Sequence, residues 1–234
     1  MKKLILSLAF VAAGAGAFAQ IGQGSLMLGG NLGFSSGGGG EIKATGGGVA
    51  DKTTELTSTS DWNFSPSVGY FLTDNIAIGV RLGLGGTNRG QATAADGTTK
   101  ENYSSFDFSA ELFGRYYMEV ATNLYFFGDA GLGFGSSSWT DRVSDAATSQ
   151  TAFKDSDKNS FSGFGINIAP GLAFFPSEKW GIDFTLNRII GFNMNTFTNE
   201  TPNPNSLKTE TSTSAFNIGF GLNPTIGLHY YMGK

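Results

Sequence analysis

Large apolar residues alternate with small or polar residues in eight separate runs along the chain. The runs cover residues 26–34, 62–72, 76–84, 106–116, 124–134, 164–174, 180–192 and 216–230. A period of two residues is typical of β-strands, whose side chains point alternately to opposite faces of a sheet. Residues typical of turns and loops separate the runs. The pattern therefore predicts eight β-strands.

The two faces of each predicted strand differ in side-chain size. One face carries Leu, Ile, Val and Phe, whereas the other is mostly Gly, Ser, Asn and Ala. A soluble barrel would expose Lys, Glu and Thr, whereas small residues fit the lumen of a narrow barrel. The apolar face is therefore expected to contact lipid, where the sheet must close to pair its backbone groups. We predict an all-β fold, an eight-stranded antiparallel up-and-down transmembrane β-barrel.

Aromatic residues concentrate at the two ends of the predicted strands. At one end they are Tyr70, Tyr116, Phe126, Phe174, Trp180 and Tyr230, and at the other Phe34, Trp62, Phe64, Phe106, Phe134, Phe164, Phe192 and Phe216. A protein core does not sort aromatic side chains by strand end, whereas the two membrane interfaces do. We interpret the two groups as the aromatic girdles of a membrane barrel.

The connections between strands alternate in length. Three are short, at 73–75, 119–123 and 176–179, and four are long, at 36–60, 87–102, 136–160 and 195–214. The long stretches are rich in Gly, Ser, Thr and Asn, as surface loops are. Outer membrane barrels have short periplasmic turns and long extracellular loops, so we expect both termini in the periplasm.

Composition removes most catalytic classes of protein. The charged fraction is 15%, Cys is absent and His229 is the single histidine. Disulfides, cysteine-ligated zinc, iron–sulfur clusters and multi-histidine metal centres are excluded on these grounds. One imidazole is left for acid–base chemistry. We expect no enzyme activity, no cofactor and no bound metal.

The first 19 residues have the pattern of a secretory signal peptide. Two lysines precede an apolar run that ends in Ala17-Phe18-Ala19, so cleavage is expected between Ala19 and Gln20. The run is too short for a membrane-spanning helix, and residues 20–234 then form the barrel domain. Without the two lysines the chain has 13 basic and 19 acidic residues, a net charge of −6, which argues against a nucleic-acid partner.

The lumen face of the predicted strands carries the charged residues Arg81, Asp107, Glu111, Arg115, Asp129 and Asp183. Folding the fourth and fifth strands about a turn near Ala121 places Asp129 opposite Phe113, with Glu111 and Arg115 as diagonal neighbours. Buried charges are costly unless they are paired, so we predict an ion-pair network. Two interpretations stay open: a gate or solute filter, or a structural plug of an interior just wide enough for side chains.

Arg188 and His229 are further candidates for functional roles. Arg188 is the one charged residue predicted on the lipid face, where it would lie near the outer end of the seventh strand or extend to phosphate groups of lipopolysaccharide. A bulge would instead turn it inward. His229 lies on the lumen face of the last strand, without a neighbouring nucleophilic Ser. We expect a structural or girdle histidine.

The chain resembles the small outer membrane β-barrel proteins of the OmpA/OmpX type. The resemblance covers residues 20–234 and rests on the signal pattern, the eight outward-apolar strands, the alternating turns and loops, and the last strand, Leu228-His229-Tyr230-Tyr231. It implies an outer membrane location, contact with outer-membrane lipid and lipopolysaccharide, and recognition by the barrel assembly machinery. Family members often finish on an aromatic residue, whereas in this sequence Met232-Gly233-Lys234 follows the last aromatic residue, Tyr231.

From this resemblance we expect a non-catalytic integral outer membrane protein. Its role would be structural in the envelope and adhesive at the cell surface, with an extracellular ligand held by the loops. The alternative is a narrow channel or transporter for ions or small solutes, apolar solutes included. Small barrels host unrelated functions, so the choice between a surface role and a channel depends on the side chains of the lumen.

Overall fold

The chain folds into β-strands joined by turns and loops. The structure, a computed structural model, describes residues 21–44, 52–55, 58–93, 99–145, 154–186, 188–201, 207–219 and 225–232. Its strands are β1 (Leu26–Gly37), β2 (Glu41–Ala44), β3 (Lys52–Glu55), β4 (Thr59–Phe71), β5 (Ile76–Thr93), β6 (Thr99–Ala121), β7 (Leu124–Asp145), β8 (Lys154–Ser177), β9 (Trp180–Thr185), β10 (Ile190–Glu200), β11 (Lys208–Ile218) and β12 (Thr225–Met232). The predicted signal peptide and its cleavage residues, Ala19 and Gln20, lie outside the described residues. Within those ranges, no helix has the length and apolar character needed to cross a membrane.

Eight strands close into an antiparallel barrel. Backbone pairs run from β1 through β4, β5, β6, β7 and β8 to β9 and β12, and β12 pairs again with β1. β10 and β11 continue the barrel strands that begin with β9 and end with β12, while β2 and β3 form a separate antiparallel pair. Between β12 and β1 this closure pairs the backbone groups that lipid does not solvate, whereas among the described strands β11 pairs with β10 alone. The predicted fold class is confirmed.

The large apolar side chains point away from the lumen. Leu112 is 61% exposed and Ile166 is 51% exposed, whereas Phe113, on the opposite face of the same strand as Leu112, is 4% exposed. Such an apolar outer surface suits lipid rather than water. The girdle residues lie on this outer face too.

We call the barrel end with the short turns at 72–75, 122–123 and 178–179 the turn end, and the opposite end the loop end.

The strands extend further toward the loop end than the sequence pattern predicts. β5 runs to Thr93 and β6 starts at Thr99, so much of the predicted loop 87–102 is paired strand. The same holds for parts of 136–160 and 195–214. Backbone pairing continues there because Ser, Thr and Asn side chains do not interrupt the backbone ladder, although they resemble loop composition.

The turn between β6 and β7 is tighter than predicted. Thr122 and Asn123 join the two strands, and Asn123 has a φ of 63°, in the left-handed region that Asn tolerates better than most residues. Asp129 therefore pairs with Arg115 instead of Phe113, a shift of two residues. Because the shift is an even number, every side chain keeps its predicted face.

One barrel strand is interrupted near its middle, between β9 and β10. Thr185 pairs with Gly171 and Ile190 pairs with Ile168, so five steps along this strand face three steps along β8. The two additional residues form a bulge. An even insertion leaves the alternation of faces in phase on both sides, so the sequence pattern does not reveal the bulge.

The close approach of β4 and β5 requires glycine at position 79. A Cβ atom there would lie 2.2 Å from the Val68 carbonyl oxygen and 2.6 Å from the Phe113 ring. We expect Gly79→Ala to lower the free energy of unfolding by about 1–3 kcal/mol, as overpacking does. The matched control is Gly114→Ala, whose Cβ would meet nothing within 4 Å. Urea titration of both refolded variants measures the difference, and equal midpoints would contradict the packing argument.

Candidate functional site

Arg115, on β6, is the centre of a buried ion-pair network in the lumen. Its Nε and Nη2 atoms donate to Asp129 Oδ2 of β7 at 3.0 and 2.8 Å, and its Nη1 atom donates to Asp183 of β9. The three side chains are at most 3% exposed. Arg115 and Asp129 are direct cross-strand partners, which places the guanidinium group against the carboxylate without bending either strand. Hydrogen bonds between charged partners are the strong ones in a buried site.

Arg81, on β5, extends the network toward the loop end. It forms an ion pair with its cross-strand partner Glu111, and its Nη2 atom donates to Asp129 Oδ2 at 3.1 Å. Asn167 Nδ2 of β8 donates to Glu111 Oε2 at 2.8 Å. Both arginines therefore share Asp129, and the carboxylates of Glu111, Asp129 and Asp183 all have a cationic partner, as buried charges require.

Asp107 stands apart from the other predicted members of the network. It lies nearer the loop end on β6, where its Oδ2 atom is 3.5 Å from Ser105 Oγ. Among the described residues no ion pair joins it to Arg81 or Arg115. The structure thus brings together five of the six predicted side chains, while their role as a filter or as a structural plug stays a prediction.

Large side chains fill the lumen at the turn end, and we call this cluster the aromatic plug. Its members are Met27, Phe71, Ala77, Phe113, Tyr117, Phe127, Ala173, Phe175 and Tyr231, each at most 4% exposed. Arg115 Nη1 donates to the Tyr117 hydroxyl at 3.2 Å, and that hydroxyl lies 3.3 Å from the hydroxyl of Tyr231. The guanidinium carbon of Arg115 is 4.0 Å from the centre of the Phe127 ring, a cation–π distance. The plug and the network therefore form one buried unit.

The plug was not predicted from the sequence, although the alternation of residues places its members in the lumen. Tyr117, Phe127 and Phe175 occupy odd positions on strands whose even positions face lipid. The pattern alone assigns them to the lumen. Asn167 was also missed as a member of the site, because a polar residue on a lumen face has no distinctive spacing.

His229 reaches the network from β12. Its Nδ1 atom lies 3.2 Å from Asp183 Oδ2, and the residue is 6% exposed. A Cβ atom on Gly29 of β1 would lie 2.2 Å from the imidazole ring, so the ring packs directly on the β1 backbone. A structural role for His229 stays a prediction. Within the described ranges, no group of three or more His, Cys, Asp or Glu side chains is arranged to hold a metal ion.

Arg188 borders the lumen, and the prediction that it faces lipid is wrong. It lies in the bulge between β9 and β10 and lines two lumen cavities. In an uninterrupted strand its even position would face lipid together with Ile190, but the two additional residues of the bulge change its direction. The inward alternative that a bulge allows is therefore the observed one. It keeps the guanidinium group out of hydrocarbon, where it would be costly.

Two adjoining cavities lie in the lumen between the aromatic plug and the loop end. The cavity nearer the loop end has a volume of about 430 Å³ and the deeper one about 270 Å³. Both are lined by Arg81, Glu111, Asn167 and Arg188. The deeper cavity also reaches Arg115, Asp129, Asp183 and His229. The lumen is therefore polar above the network and closed by aromatic rings below it.

A closed barrel with an apolar outer belt and a polar, ion-paired lumen defines an integral membrane β-barrel protein. The family model of the outer membrane protein beta-barrel domain matches residues 5–223, and the chain belongs to that family. It is an outer membrane β-barrel protein. No curated protein sequence matches it.

Several solved structures of outer membrane proteins are similar to this chain. OprG from Pseudomonas aeruginosa is 14% identical, with 93% of this chain and 100% of that chain covered and a TM-score of 0.44. The N-terminal β-barrel domain of OprF from the same organism is 14% identical, with 90% and 99% covered and a TM-score of 0.28. The siderophore receptor PiuA from Acinetobacter baumannii is 8% identical with a TM-score of 0.43; 70% of this chain is covered, and the chain spans 29% of the receptor.

Proposed function

We propose that this protein is a non-catalytic barrel that supports the outer membrane and contacts its surroundings through the loop end, outside the cell. The length and polarity of the strands beyond the loop-end girdle carry the proposal. β6, β7 and β8 contain 23, 22 and 24 residues, whereas spanning a membrane takes about 9–11 residues per strand. About half of each strand is therefore available to project from the membrane.

The outward face of these strands changes character beyond the loop-end girdle. The outward positions there on β6, β7 and β8 include Lys158 and the hydroxyl residues Ser104, Ser136, Ser138, Thr140, Ser160 and Ser162. Hydroxyl side chains suit water, whereas the positions on the other side of the girdle suit lipid. We infer that lipid and lipopolysaccharide contact the apolar belt and that the barrel assembly machinery inserts it, with the short turns in the periplasm.

The projecting sheet presents a shallow depression of about 370 Å³ on its outer side, lined by polar side chains together with Phe106 and Trp139. Thr140 of β7 pairs with Lys158 of β8, and Lys158 pairs with Glu200 of β10. The depression therefore combines hydroxyl groups with charges of both signs. A surface of this mixed kind binds partners through hydrogen bonds together with apolar contacts.

Adhesion tests the proposed surface role. Cells that make the protein are compared with cells that lack it for attachment to polysaccharide-coated and protein-coated surfaces. The variant Ser138→Lys/Ser160→Lys places two bulky charges in the depression, and we expect attachment to fall to the level of cells without the protein. The control Ser137→Lys changes the neighbouring residue on the opposite face of the same strand. Attachment that is the same with and without the protein would overturn the surface role.

We infer no catalytic role for His229, because its ring is packed on Gly29 and beside the ion pair of Arg115 and Asp183. We expect the purified, refolded wild-type barrel and the His229→Ala variant to hydrolyse phospholipid at the same background rate. Hydrolysis of phospholipid vesicles that is present in the wild type and disappears in His229→Ala would contradict this inference.

A channel is the second candidate, because the two cavities extend a polar path from near the loop end to the network. That path ends at the aromatic plug. We therefore expect the wild-type barrel to show no steady openings in planar-bilayer recordings. Reproducible openings whose conductance changes in Arg81→Ala or Asp129→Ala would favour the channel over the surface role.

A further inference from the structure

Arg188 is the one lumen arginine without a protein partner in the described part of the chain. Arg81 and Arg115 are both engaged by carboxylates, whereas no described residue forms an ion pair or a side-chain hydrogen bond with Arg188. Its bulge faces Ile168 and Pro170 of β8, halfway between the girdle residues Phe164 and Phe174. A charged group at this depth of a membrane protein marks a functional site by default.

We propose that Arg188 binds the carboxylate of a small sugar acid in the cavity of about 430 Å³. A guanidinium group offers five N–H donors in a fork that matches a carboxylate. The cavity volume falls within the range of small-molecule sites. The aromatic plug closes the turn end, so the ligand reaches the cavity from the loop end.

The neighbouring carboxylates do not compete for Arg188, because each is already held. Arg81 and Asn167 bind Glu111, both arginines of the network bind Asp129, and Arg115 binds Asp183. The network alone contains two guanidinium groups and three carboxylates. Its excess negative charge opposes a multiply charged anion, so a single carboxylate is favoured over a phosphate.

Two asparagines on β10 supply groups for the hydroxyls of such a ligand. Asn193 and Asn195 line the same cavity from β10, and no described residue hydrogen-bonds their side chains. Glycines on β8 make room for them, since a Cβ on Gly163 would lie 2.1 Å from Asn195 Oδ1 and one on Gly165 would lie 2.6 Å from Asn193 Oδ1. Each amide provides both donors and an acceptor, as sugar hydroxyls require.

Calorimetry with the full-length barrel in detergent tests this site. The probes are glucuronate, glucose 6-phosphate and glucose, at low salt. We expect glucuronate to bind at least about tenfold more tightly than glucose, with glucose 6-phosphate weaker than glucuronate. Arg188→Gln should weaken glucuronate binding by about tenfold or more. The control Lys208→Gln removes an equal charge from a side chain that is 60% exposed on β11 and should change nothing.

Gel mobility with and without heating shows whether Arg188→Gln folds. If it does not fold, a second variant still tests the site. Asn195→Asp preserves side-chain size and adds a negative charge to the cavity, so glucuronate binding should be weakened far more than glucose binding, which loses only the amide donor. Three results would overturn the proposal: no binding of glucuronate, equal binding of glucose, or unchanged glucuronate affinity in a folded Arg188→Gln or Asn195→Asp barrel. None of them affects the adhesion result, which depends on the outer face of the sheet.

Discussion

Replacing Arg115 by methionine is expected to lower the free energy of unfolding by about 3–5 kcal/mol, the cost of leaving a buried ionic partner unpaired. Asp183 would lose its guanidinium partner, and Asp129 would keep Arg81 alone. Asp183 is 1% exposed, and the contact left to it is the His229 imidazole, whose Nδ1 atom lies 3.2 Å from Asp183 Oδ2. Urea titration of the refolded barrel, followed by fluorescence and by gel mobility, measures the loss.

Two further variants separate the charge effect from a packing effect. Arg81→Met should cost less than Arg115→Met, because Arg81 is 30% exposed and its partners retain Asn167 and Arg115. The triple variant Arg115→Met/Asp129→Asn/Asp183→Asn also removes the two carboxylate charges that Arg115 neutralises and should recover most of the stability. If Arg115→Met and the triple variant unfold at the same urea concentration, unpaired carboxylates are not the cause.

The fold could be predicted because contact with lipid requires the same alternation on every strand, with large apolar residues facing outward and small or polar residues facing the lumen. Period-two alternation identified the lipid-facing residues from Leu26 to Tyr230, and closure followed from the need to pair backbone groups. Strand ends were harder, since Ser and Thr occur both in loops and in the projecting parts of β6, β7 and β8. The composition at those positions indicates contact with water, and loops and projecting strands both contact water. Composition therefore does not distinguish a loop from a projecting strand.

The members of the network could be predicted from their face, but not their exact partners. A register error of two residues preserves the face of every side chain, so Asp129 was assigned to the lumen correctly and placed opposite the wrong residue. The assignment of Arg188 failed for a related reason. Its bulge contains an even number of extra residues, which the alternation does not show.

Phe127→Ala is expected to destabilise the barrel by about 3–5 kcal/mol and also to open a path through the aromatic plug. The Phe127 ring is fully buried, lies under the Arg115 guanidinium group, and fills the space over Gly171, where a Cβ would approach the ring to 2.3 Å. Its removal therefore deletes a cation–π contact and leaves a void between the deeper cavity and the turn end. We expect planar-bilayer openings that the wild type does not show.

The adjacent Phe126 provides the matched control, since it is the same residue type on the opposite face of β7. It is 39% exposed toward lipid, and lipid chains fill the space that Phe126→Ala leaves, so this variant loses apolar contact without gaining a cavity. Its stability should fall less than that of Phe127→Ala, and its recordings should stay silent. Because Phe127→Ala removes part of the barrier without replacing a charged residue or breaking an ion pair, openings in this variant alone would show that the plug, and not the ion-pair network, keeps the lumen closed. A folded but silent Phe127→Ala barrel would instead assign the seal to the network of Arg115, Asp129 and Asp183.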